Sequence, residues 1–338
     1  MNISKNKTPY TGFKGMKHHW KDDFSAAISV ALVALPLSLA IAVASGVPAI
    51  SGLITAAVAG LSTTFFRSSA ITINGPAAGL IGVMLAGLVA LDDGSGTAQA
   101  FKYLLAASVV AGALQVLIGI LRFGRIAEIF PTSVIQGVLA SIGIIIFAKQ
   151  MHVAMGTSSD AENTMGTLVD IFYMIPEMDP RIAIISGLGI LLLIFHSKIS
   201  YKAFHFIPAP VWVLMISVPI VLLYNYFEEH QIRILGEVFS APENYLIDIP
   251  SNMKEALVFP DFSVAHTLNF WLVVISITLI SSVITLSGVK AVDKLDPYKR
   301  KTKLNKDLVG VGVATMISSG IGGLPVLAVI VRSTVNVH

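Results

Sequence analysis

The chain has 338 residues, 54% of them hydrophobic and 13% charged, with no Cys and a formal net charge of +3. An average globular chain carries about 25% charged residues, and the mean hydropathy here is +0.78, so the totals exclude an ordinary soluble domain and point to a polytopic membrane protein. The missing Cys excludes a disulfide framework and a thiolate metal site. The basic residues sit between apolar runs, where they read as topology signals rather than a nucleic-acid footprint.

Residues 1–23 are polar, with Lys5, Lys7, Lys14, Lys17 and Lys21 against Asp22 and Asp23. They read as a cytoplasmic tail with an interfacial turn at His18-His19-Trp20. No further ligand type lies beside the His pair, so a solvated patch fits it better than a metal site. Phe24 to Ser45 is the first span, broken by Pro36, which removes a backbone donor and kinks the helix. It has full spanning length, unlike a cleaved signal peptide. Pro48 to Phe66 is the second span, closed by Arg67.

The third element is interrupted. Ile71, Thr72 and Ile73 are consecutive β-branched residues that favour extended backbone, so Ala70 to Ile73 reads as a strand. Asn74-Gly75-Pro76 is then a helix-start signal before an apolar run to Leu91. A helix that starts part-way into the bilayer points its free N–H groups, and the positive end of its dipole, at that depth. A crossing helix that begins at Pro for packing reasons fits the same residues, and Gly75, Gly79 and Gly82 suit close helix packing too.

An acidic turn follows at residues 91–97, then spans Tyr103–Leu121 and Thr132–Ala148, and a polar loop from Gln150 to Pro180. Spans six and seven are Ile182–Phe195 and Val211–Phe227, followed by an acidic stretch, Glu228 to Asp261. Phe270–Val289 is the eighth span, and Lys290 to Lys303 is the most basic loop in the chain. The loops alternate in sign: the tail, Arg67, Arg122 with Arg125, Lys198 with Lys202 and the loop after Val289 are basic, and those between are acidic. The basic set falls on one side of the span count, which predicts a cytoplasmic N-terminus and a multi-pass protein of the inner (plasma) membrane. A short ninth span, Leu308 to Ile321, leads through Gly322-Gly323-Leu324-Pro325 to an apolar strand, Val326 to Val331, and then to Arg332-Ser333. Strand-then-helix breaks thus occur twice, and paired interrupted segments mark a transporter's midplane site. An intramembrane Arg costs about 2.5–3.5 kcal/mol on insertion scales and needs a partner. The eighth span carries no charge to supply one.

The chain resembles the SulP family of inorganic-anion transporters. The residues that carry the resemblance are Ala34 to Ala40, Ser45 to Pro48, Asn74 to Gly79, Phe130 to Gly137, Phe206 to Pro210, Ala291 to Pro297, and Gly322 to Pro325 with Arg332-Ser333. The resemblance implies an all-α fold with a seven-plus-seven inverted repeat, with short strands at broken helices three and ten. On that frame residues 24–227 are the first repeat (spans one to seven), 228–269 an extracytoplasmic loop, and 270–338 the start of the second repeat. It also implies a substrate site lined by Gly75, Pro76, Ala77, Ala78 and Gly79 from helix three, by Arg332 and Ser333 from helix ten, and by Leu37 from helix one. Many bacterial relatives carry a Glu in span eight where this chain has Ile284, and Thr285 beside it is counted with the expected site lining. Proton coupling through that position is therefore not expected. Relative to the family, helices eleven to fourteen and the C-terminal STAS domain are missing, and residues 336–338 are too few to form the tenth half-helix.

The expected substrate is a small inorganic anion of the sulfate or bicarbonate class, with no cofactor, no metal and no nucleic acid, and a second copy of the chain stands as an open partner. Two alternatives remain at this point. One is a permease for nucleobases or organic anions, which would carry carboxylates in spans eight and ten. The other is a truncated remnant or partner subunit without transport activity. The scattered His residues lack metal-ligand spacing, which argues against an enzyme. The glycines at 310–323 lack the Lys of a nucleotide loop and fit helix packing.

Overall fold

A computed structural model describes residues 12–66, 69–124, 132–159, 161, 163–196, 198–199, 209–223, 232–234, 237–239 and 256–337. Arg67, Arg125, Lys202, the motif residues Phe130-Pro131 and Phe206 to Pro208, and most of the acidic stretch 228–261 lie outside them. The first helix, α1 (Gly12–Ala44), contains Pro36 and begins before the predicted span, so the tail's last residues are helical. It is followed by α2 (Ala49–Phe66), α3 (Ile81–Leu91), α4 (Thr97–Ile120) and α5 (Thr132–Met155). Then come α6 (Thr164–Tyr173), α7 (Pro180–His196), α8 (Ala209–Leu223), α9 (Leu268–Asp293), α10 (Leu304–Gly320) and α11 (Ile330–Val337). Among the described residues, parts of α1, α2, α4 and α9 form helices of at least 18 residues that are apolar enough to cross a membrane. Helix α6 falls in the stretch read as a polar loop, with the Asn163 side chain capping its first turn at Gly166 N (2.7 Å).

Among the described residues there are four strands of three residues each: β1 (Ile73–Gly75), β2 (Ile232–Ile234), β3 (Glu237–Phe239) and β4 (Leu327–Val329). Strands β2 and β3 form a local hairpin, whereas β1 and β4 pair antiparallel across most of the chain. Both breaks differ in detail from the sequence expectation. Strand β1 starts three residues and ends two residues later than predicted, and no helix starts at Pro76. Ala77 is still extended (φ −132°, ψ 142°), and a single 3-10 turn, Ala78–Leu80, precedes α3. Proline fixes its own φ and pushes the residue before it to extended backbone, which carries the strand through Gly75. At the second break the strand ends at Val329, and α11 starts two residues before Arg332 and continues to Val337. The expectation that residues 336–338 are too few to form this half-helix is therefore corrected, because the helix begins six residues earlier, at Ile330.

The main core gathers Leu80, Met84, Leu104, Phe270, Ile277 and Leu327, from both breaks and from α4 and α9. Helices α4 and α10 cross most closely. A Cβ added to Gly112 would stand 2.8 Å from the Gly312 carbonyl, and one on Gly312 would stand 2.7 Å from the Gly112 carbonyl. Gly119 meets Asn305 in the same way, so the two helices run antiparallel. Small residues permit this backbone approach, which in lipid replaces the hydrophobic drive available in water. The crossing puts the acidic turn at Asp92-Asp93 and the basic loop 294–303 at opposite ends of the bundle. Helix α10 ends at Gly320; Gly322, just beyond it, has a φ of +100° that suits a residue without Cβ, and the Ser318 carbonyl accepts from Gly323 N at 2.8 Å.

Candidate substrate site at the paired breaks

The site is built on the β1–β4 register: Ile73 faces Val329, Asn74 faces Ala328 and Gly75 faces Leu327. Side chains alternate along a strand and share a face across a pair. Gly75 and Leu327 therefore belong to one face, Asn74 and Ala328 to the other. A Cβ added to Gly75 would collide with Nη1 of Arg332, so the guanidinium covers the first face. A Cβ added to Gly288 of α9 would lie 3.2 Å from the Ala328 carbonyl and 3.6 Å from its Cβ, so α9 covers the second.

Arg332 is 1% exposed, in the first turn of α11. Its Nη2 donates to Ser38 Oγ of α1 at 2.9 Å, and its Nε has no acceptor among the described residues. Arg332 belongs neither to the ion pair of Arg181 with Asp179 nor to that of Arg300 with Asp296. A buried cation with one neutral hydrogen bond is the costly arrangement that an anion would relieve. Ser333, beside it, is occupied by the backbone: its Oγ accepts from Ile73 N at 2.9 Å and donates to the Val329 carbonyl at 2.7 Å. Asn336 Nδ2 donates to the Ile71 carbonyl at 3.2 Å, so α11 is fastened to the start of β1 at two points.

The structure divides the expected site residues into two groups. Gly75, Arg332 and Ser333 meet at the strand pair, with Pro76 buried beside them. Ala77 is half-buried on the main core, and Ala78 is exposed. Gly79 turns toward α9, where an added Cβ would stand 2.6 Å from Ile284 Cδ1. Thr285 is fully buried on α9, and its hydroxyl has no partner among the described residues. Leu37 is half-buried against the main core, and its neighbour Ser38 makes the polar contact. Sequence reasoning missed Ser38 because a Ser inside an apolar helix reads as bonding its own preceding turn, which it also does.

Helix α3 has 11 residues. At about 1.5 Å per residue it spans about half of a ~30 Å hydrocarbon core. Its C-terminal end runs into exposed Asp92 and Asp93, so its start lies near mid-depth. No side chain caps the 3-10 turn or α3, which leaves that end's positive dipole facing the break.

Short antiparallel strands between two interrupted helices, inside a bundle of apolar spans, define an all-α polytopic membrane protein of the inverted-repeat transporter class. A model of the sulfate permease family matches residues 20–338, and the chain belongs to that family. It is 26% identical over 328 residues to YvdB of Bacillus subtilis (strain 168), a candidate sulfate transporter, with 96% of this chain and 57% of that protein covered. It is 25% identical over 324 residues to the bicarbonate transporter BicA of Picosynechococcus sp., covering 94% of this chain and 53% of that one. The chain spans about half the length of these curated relatives. Among solved structures, the transmembrane domain of a cyanobacterial BicA superposes with TM-score 0.77 at 21% identity, covering 98% of this chain and 79% of that one. SLC26A9 superposes with TM-score 0.75 at 16% identity, covering 95% and 51%. At these identities the superpositions bear on the fold.

Proposed function

We propose that the chain carries the anion site of a secondary transporter that moves small inorganic anions of the sulfate or bicarbonate class across the cytoplasmic membrane. Arg332 supplies the charge, and Gly75 to Gly79 supply the backbone that approaches the ion. One observation carries the reading: Arg332 is buried at the strand pair with, among the described residues, one neutral acceptor, Ser38, and no partner for Nε. The relatives named for sulfate and bicarbonate support the substrate class. The opposite placement of the acidic turn and the basic loop supports a cytoplasmic N-terminus. A nucleobase permease is disfavoured, because α9 has no carboxylate before Asp293 and α11 has none.

The test is uptake of labelled sulfate and bicarbonate by the full transporter that contains these residues, with Arg332→Ala beside it. Removing one partner of a buried ion contact costs several kcal/mol, so uptake should fall by about a hundredfold or more. Full uptake by the variant would overturn the assignment. Competition by uracil but not by sulfate would overturn the substrate class.

A further inference from the structure

Ser38 is fully buried, and its Oγ donates to the Ala34 carbonyl one turn back at 2.5 Å. A hydroxyl has one proton, so with that proton engaged the oxygen meets Arg332 Nη2 purely as an acceptor. The backbone beneath it is held as well. Gly52 of α2 packs directly on the Ser38 carbonyl, where an added Cβ would collide. On the far side, the missing Cβ of Gly75 makes room for the guanidinium. Ser38 thus takes one N–H of Arg332 without neutralising its charge, and leaves Nε unpaired.

The geometry points to Ser38 as a positioning residue that sets the orientation in which Arg332 meets the transported anion. This rests on the proposed role of Arg332. A guanidinium held in one orientation binds with less rearrangement than one that must first be ordered. A Ser that merely bonded its own helix would affect folding and leave substrate affinity alone.

The experiment uses the full transporter in proteoliposomes, with initial rates measured against sulfate and bicarbonate concentration. Ser38→Ala should raise KM about tenfold while kcat is held, the effect of losing one charge-assisted hydrogen bond. Ser38→Thr keeps the hydroxyl and should restore KM. If Ser38→Ala fails to accumulate, Ser38→Cys, with its weaker acceptor, should shift KM in the same direction by less. Unchanged KM in Ser38→Ala, or in Ser38→Cys where that variant stands in, overturns the role, as does a Thr variant no better than Ala. Arg332→Ala separates the two claims. If it abolishes transport while Ser38→Ala keeps its KM, only the role of Ser38 fails. If it transports normally, the underlying reading fails.

Discussion

The first break passes from Ile73–Gly75 through Pro76 and Ala77 into a 3-10 turn before α3, whereas the second passes from Leu327–Val329 into α11 with no residue between. The first holds Gly and Pro and no charge. The second places Arg332 in its opening turn. The two strand-then-helix elements, paired strand to strand, differ in what they bring: one supplies room and the other supplies charge. The difference also explains why neither half could form the proposed site alone. The guanidinium fits because its partner strand lacks a Cβ at Gly75.

Gly75→Ala breaks that division most directly. The new methyl would overlap Nη1 of Arg332, and α11 cannot easily retreat because Ser333 and Asn336 fasten it to Ile73 and Ile71. Overpacking of this kind typically costs about 1–3 kcal/mol. Uptake should fall about tenfold or more, through KM, and normal uptake would show that the two breaks are not coupled through this contact.

Ser333→Ala tests the fastening itself. It leaves the Ile73 N–H without its acceptor, a loss of about 1–3 kcal/mol. A lower melting temperature of the purified protein is expected, with amide exchange at residues 71–75 faster than elsewhere in the core. Protection that stays unchanged there would place the link between the breaks in the strand ladder alone.

The existence of two breaks was legible because β-branched runs, Pro and Gly act locally. Asn74-Gly75-Pro76 and Leu327 to Arg332 declare themselves within a few residues. Their pairing was not legible, because the register joins residues 73–75 to 327–329 across the whole fold. The exact starts were missed for the same reason: the ladder, not local propensity, decides that Gly75 is strand and Ile330 is helix. Helix α6 was missed because Asp170 and its polar neighbours suggest a loop, while the Asn163 cap and buried Ile171 hold a helix.

Gly79→Ala should have a smaller effect than Gly75→Ala, because the side-chain tip that must give way is the apolar end of Ile284 rather than the guanidinium of Arg332. About 1 kcal/mol is expected. The double variant Gly79→Ala, Ile284→Val should recover part of it in a thermal melt. A Gly79→Ala defect as large as that of Gly75→Ala would mean that room at the first break is not concentrated at Gly75.

The smallest effect should come from the loop between α9 and α10, remote from the strand pair. Burial alone would raise the pKa of Asp296, but the Arg300 side chain and the N–H groups of Tyr298 and Arg300 outweigh it and hold the carboxyl below its usual value. A carboxylate depressed in the folded state stabilises the fold above its unfolded pKa, and that stability is lost as pH falls through the folded value. Asp296→Asn should therefore lower the melting temperature modestly at neutral pH. The gap to the parent should begin to narrow near pH ~3.9, the ordinary carboxyl value that governs the unfolded chain, and close as pH falls through the lower folded value. Because this loop sets only where α10 begins, KM should not move. A KM shift would show that the basic loop reaches the second break through α10, and the division between room and charge would then have to include it.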